Sequence, residues 1–87
     1  MSHERLVALI QAHQEALTAA QESASADAHA NILGILSALE KGEIHAARAQ
    51  RLLGYHALLA TDVPGQATLY RQAAADIRQM QREERGR

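Results

Sequence analysis

Large apolar residues recur at steps of three and four along most of the chain. Leu6, Ile10, His13 and Leu17 form one row, widened at its start by Val7 and Leu9 and carried on by Ala20 and Ala24. Ile32, Ile35, Leu36 and Leu39 form a second, with Leu33 beside them. Leu52, Leu53, Leu59 and Ala60 belong to a third, and Tyr70, Ala73, Ile77 and Met80 to a fourth. Steps of three and four place side chains on one face of an α-helix. The pattern predicts an all-α fold, an antiparallel helical bundle of three to four helices over residues 3–22, 26–41, 44–61 and 64–84. The whole of residues 1–87 then reads as a single helical domain with a frayed C-terminal tail at 85–87.

A second pattern lies across the first. Ala8, Ala12, Ala16, Ala20, Ala24 and Ala28 follow one another at a constant step of four, and the row gains bulk at Ile32 and Leu36. A four-residue step is a helical ridge, and methyl side chains let a second helix approach closely. Ala30, Gly34 and Ala38 make a similar row.

Turn signals divide the helices unequally. Ser2 is placed to cap the first helix, with Glu4 near its positive end. Ser23, Ser25 and Asp27 favour a turn near residues 23–26. No glycine or proline enforces it, so a single helix from 3 to 41, ~58 Å long, is the alternative. Gly42 follows Lys41 where a C-terminal capping glycine belongs, and the third helix restarts at once. Thr61-Asp-Val-Pro-Gly65 is the strongest punctuation in the chain: Thr61 or Asp62 can cap the last helix, with Pro64 in its first turn. If the last two helices fold back at 62–63, Tyr55 comes level with Tyr70, Leu52 with Ala73 and Ala49 with Asp76. Arg48 and Arg51 are then placed to bridge to Asp76. The only two aromatic residues fall at one level, where a ring pair contributes about 0.5–1.5 kcal/mol beyond burial.

The run Ile35-Leu-Ser-Ala-Leu-Glu-Lys-Gly-Glu-Ile44, followed by the paired leucines Leu58 and Leu59, resembles the short helix-turn-helix of SHOCT-like modules. It departs from them at His45, where a serine or threonine cap is usual. The resemblance implies a tight corner at Gly42, and no function is carried over from it.

Composition sharpens this picture. The chain has 87 residues, no cysteine, no tryptophan, no phenylalanine and two tyrosines, so neither disulfides nor large aromatics fill its interior. A core built from few large aliphatics and many alanines is thin, and self-association adds buried area without a longer chain. Homodimerisation is therefore expected to complete the bundle. The net charge of −1 argues against a strongly basic nucleic-acid binder, yet it hides an asymmetry. The first half is acidic, and the arginines concentrate in the second. Such opposite charges favour packing one half on the other, within a chain or between chains. No apolar run is long enough for a membrane span, and no signal-peptide layout opens the sequence, so cytoplasmic residence is expected. Eight arginines against one lysine, with abundant alanine, suggest a bacterial, GC-rich coding sequence.

Little in the sequence points to catalysis. Phosphate-cradling glycine loops, Gly-x-Ser-x-Gly and cysteine nucleophiles are all missing. The histidines number five, but no Glu-x-x-His, His-x-x-x-His or His-Glu-x-x-His occurs among them. His45 and His56 share a face but stand ~16 Å apart along it, too far to hold one ion. No enzyme, cofactor or single-helix metal site is expected. His13 reads as a histidine at a helix interface whose ring nitrogens find a local partner.

Three functional readings follow. The first is a small non-enzymatic interaction protein, a bacterial accessory, adaptor or regulatory factor acting through helix faces on a protein partner. Its seams, within or between chains, comprise Leu6, Ile10, His13, Leu17, Ile32, Ile35, Leu36, Leu39, Leu52, Leu59, Tyr70, Ile77 and Met80. The second is a nucleic-acid-associated factor using Arg48, Arg51, Arg71, Arg78, Arg82 and Arg85 on phosphates. The third is a metal or small-ligand binder that gathers histidines from several helices.

Overall fold

The computed structural model describes residues 3–20 and 25–86. Among them are four α-helices and no strands: α1 (His3–Ala19), α2 (Ser25–Glu40), α3 (Ala46–Leu59) and α4 (Pro64–Arg85). The principal extents are 40 × 24 × 21 Å. Helix α1 packs mainly on α2, α3 packs mainly on α4, and α2 touches both helices of the second pair. The helices thus alternate in direction around a bundle, and α2 and α4 close its diagonal.

Two helices rather than one long rod make up the first half, because α2 folds back until His29 meets His13. Ser25, one of the residues expected to favour a turn, is the first residue of α2. Residues 21–24 and the Ser2 cap lie outside the described residues. At the other end, α4 stays helical through Arg85, a residue the sequence assigns to a frayed tail, and Gly86 caps it.

The corner at Gly42 forms as its sequence predicts, with φ at 77°. The Glu43 N–H donates to the Ala38 carbonyl at 2.9 Å, and the Gly42 N–H to the Leu39 carbonyl at 3.1 Å. These two bonds make a Schellman cap, which satisfies the last carbonyls of α2. The second corner differs from expectation. Neither Thr61 nor Asp62 caps α4; the position falls to Val63, which makes no side-chain cap bond, and Pro64 opens the helix. The Thr61 hydroxyl turns back instead and donates to the Leu58 carbonyl at 3.0 Å, closing the end of α3.

The centre of the bundle is narrow. Ile32, Leu36, Leu53 and Ile77 are its largest fully buried side chains. Alanines fill the space around them: Ala28, Ala49, Ala57, Ala60, Ala67 and Ala73. Small residues at these points let α2, α3 and α4 approach closely. Tyr70 is buried too, and its hydroxyl accepts a hydrogen bond from Asn31 at 2.8 Å.

The alanine ridge does not run through this centre. Ala28 is buried with Ile32 and Leu36, but Ala8 and Ala12 are exposed, and Ala16 and Ala20 are half-buried. Reversing the chain between α1 and α2 ends the continuity of any single ridge. The row at Gly34 also faces outward, since an added Cβ there would meet nothing within 4 Å. Of the residues predicted as seams, Leu6, Ile32, Leu36, Tyr70, Ile77 and Met80 are buried, while Ile10, His13, Leu17, Ile35, Leu39 and Leu52 are half-buried. Leu59 is 67% exposed and lies outside the core cluster; Leu53 occupies the centre in its place.

Candidate functional site

Helix α3 carries two apolar faces. One consists of Ala49, Leu53, Ala57 and Ala60, all buried against α2 and α4. The other faces away from the bundle and holds the bulkier residues. Tyr55 is 61% exposed, Leu58 69% and Leu59 67%, with Val63 at 39% just beyond the helix end. Half-buried Leu52 joins the two faces at one edge. On this outer face Arg51, Tyr55 and Leu58 follow one another at steps of four and three, while Asp62 lies beyond the end of α3 in the turn before Pro64. That spacing keeps the three on one line of the helix, and it is the spacing of a helix–helix seam. Arg51, on the helix, and Asp62, in the turn after it, are both exposed.

The second tyrosine stands elsewhere. The α3–α4 hairpin turns where the sequence places it, but His56 rather than Tyr55 meets Tyr70, the two rings stacked with centroids 5.0 Å apart and planes 15° from parallel. Farther along the hairpin the Gln50 side-chain amide donates to Gln81 at 2.7 Å. A shift of one residue turns Tyr55 about 100° around the helix, from interface to solvent.

The arginines also differ from expectation. Arg48 and Arg51 make no ion pair with Asp76, whose described partner is the Gln72 amide at 3.0 Å. The long-range ion pair described joins Arg5 to Glu83 at 2.7 Å, between two exposed side chains. It takes a cation from the acidic half and an anion from the basic half, so it leaves the asymmetry of the two halves in place. Arg48, Arg51, Arg71, Arg78, Arg82 and Arg85 are all exposed. The four on α4 recur at steps of seven, four and three, which sets them along one edge.

Between α1 and α2 lies the one histidine pair described. The Nδ1 atoms of His13 and His29 are 3.0 Å apart, and the rings are tilted by 50°. At that distance one nitrogen donates and the other accepts, so at least one ring is neutral. Burial, and then the charge of neighbouring His29, hold the His13 imidazole below its ordinary value, with Asp76 opposing in part. No group of three His, Asp or Glu side chains is placed to hold a metal ion among the described residues. The fold therefore supplies the partner nitrogen expected for His13 and brings two histidines together from different helices.

No described helix is long and apolar enough to cross a membrane. Comparison with known protein families, curated proteins and solved structures finds no match to this chain.

Proposed function

We propose that this chain is a non-enzymatic helical interaction protein whose docking surface is the outer face of α3. One observation carries the reading: Tyr55, Leu58 and Leu59, three large apolar side chains, are more than half exposed on one short stretch of helix. Meanwhile alanines occupy the buried face of that helix. Leaving large apolar groups in water while methyls fill the interior forgoes roughly 1.5–3 kcal/mol for each side chain left unburied. A contiguous apolar patch of this kind marks an interaction surface on a soluble protein. The absence of cysteine, with the bacterial composition, suits an accessory or regulatory factor of the bacterial cytoplasm.

A second reading, contact with nucleic acid, draws on the exposed arginine edge of α4. It lacks the aromatic platforms that stack bases, since Tyr70 is buried and Tyr55 lies on α3.

The test is affinity capture from the source organism with the wild-type chain and with Leu58→Asp, both confirmed folded by circular dichroism. The expected result is a specific set of partners, further copies of the chain included, that disappears with Leu58→Asp. Retention unchanged by that substitution would remove the α3 face as the docking surface. Capture dominated by nucleic acid and released by salt would favour the second reading.

A further inference from the structure

We propose that α1 is an acid-releasable arm: when the His13–His29 contact takes up a second proton, α1 leaves the bundle while α2, α3 and α4 stay folded together. The Nδ1 atoms of the two rings face each other across 3.0 Å, one ring from each helix. The contact survives one added proton, because a charged ring can donate to a neutral one. It does not survive the second, which sets N–H against N–H and like charge against like. Asp76 of α4 is the other charged group acting on the His13 ring, and a single carboxylate offsets one proton rather than two. Helix α3 makes no comparable contact with α1.

The way α1 is held makes it the part that leaves. Its main neighbour is α2, the helix that carries His29. Among the described residues, Leu6 is its one contribution to the core; the other large core side chains, Ile32, Leu36, Leu53, Tyr70, Ile77 and Met80, come from α2, α3 and α4. The departure of α1 therefore leaves that core in place. The described ion pair from α1 to α4, Arg5 with Glu83, joins two exposed side chains, and exposed pairs add little. Burial, and then the charge of His29, hold the seated His13 ring below its ordinary value. A released ring escapes both and binds its proton more readily, so falling pH favours the released helix and rising pH the seated one. Release uncovers Leu6, Leu9 and Ile10, an apolar face that the seated helix keeps wholly or partly covered.

Hydrogen exchange of the full chain, read peptide by peptide at pH ~7.5 and ~5.5 and corrected for intrinsic rates, tests this release. The expected result is a loss of protection in α1 of about tenfold or more at the lower pH, while peptides from α3 and α4 change less than about twofold. His13→Gln removes the second proton and keeps a side chain that accepts a hydrogen bond, so the loss in α1 shrinks to about twofold or less. His29→Gln is expected to behave alike and serves if the first variant does not fold. Glu83→Gln removes the surface pair and is expected to leave the pH effect in place. Protection lost equally in all four helices, or α1 protection that does not change with pH, would overturn the proposal. So would a release undiminished in the folded histidine variants, or one abolished by Glu83→Gln.

Discussion

His13 shows what a single residue does in this molecule. Its ring lies between α1 and α2, faces His29 from α2 and feels Asp76 from α4. Because its folded value is depressed below 6.5, the unfolded chain takes up a proton at higher pH than the folded one. The stability linked to this group is complete above the unfolded value and falls as pH drops through the window beneath it. It levels off once the folded ring is charged as well. The melting temperature is therefore expected to decline between pH ~7 and ~5, with a shallower decline in His13→Gln. Thermal melts followed by circular dichroism measure both slopes. Equal slopes in the two proteins would show that the pair does not govern acid sensitivity. The sequence indicates His13 as an interface residue from its place between Ile10 and Leu17. Its partner does not follow from spacing within one helix, because the contact crosses the reversal between α1 and α2. Positions 13 and 29 come level across the α1–α2 reversal, a relation that spacing within either helix does not carry.

At the scale of the element, boundaries and corners were legible because glycine, proline and serine act locally. Gly42 is an example: its positive φ and two capping bonds follow from one residue type after Lys41. The faces of α3 were less legible. The helix bears two apolar rows of similar spacing, and the outer row is the bulkier. Leu52, Leu53 and Leu59 are alike in size and do not distinguish the two rows, but close approach to α2 and α4 requires the alanines of the Leu53 row. The same reason explains Tyr55, which pairs with Tyr70 by size and level but lies one position away from His56, the residue on the packing face. Two glycines separate these effects experimentally. Gly42→Ala is expected to destabilise the fold by about 1–2 kcal/mol, since a Cβ disfavours the left-handed backbone. Gly34→Ala, on an exposed helical turn with open space around it, is expected to stabilise by about 0.5–1 kcal/mol. Urea denaturation reports both. Destabilisation by Gly34→Ala would mean that this outer row packs closely against something after all.

The whole molecule combines a narrow interior with an uneven exterior. The four-helix architecture and the α3–α4 hairpin could be read from periodicity and punctuation. The fate of the alanine ridge could not, because a ridge is continuous only along an unbroken helix. Nor could the path of the charges: the halves differ in sign, yet the described ion pair between their helices, Arg5 with Glu83, runs against that difference. What the fold leaves outside is an apolar patch on α3, formed by Tyr55, Leu58 and Leu59, and an arginine edge on α4. The central proposal is that the α3 patch is a docking face. Affinity capture with the wild-type chain and with folded Leu58→Asp tests it most directly. The account predicts a set of bound partners that the wild-type chain retains and Leu58→Asp loses. Retention unchanged by that substitution would contradict it.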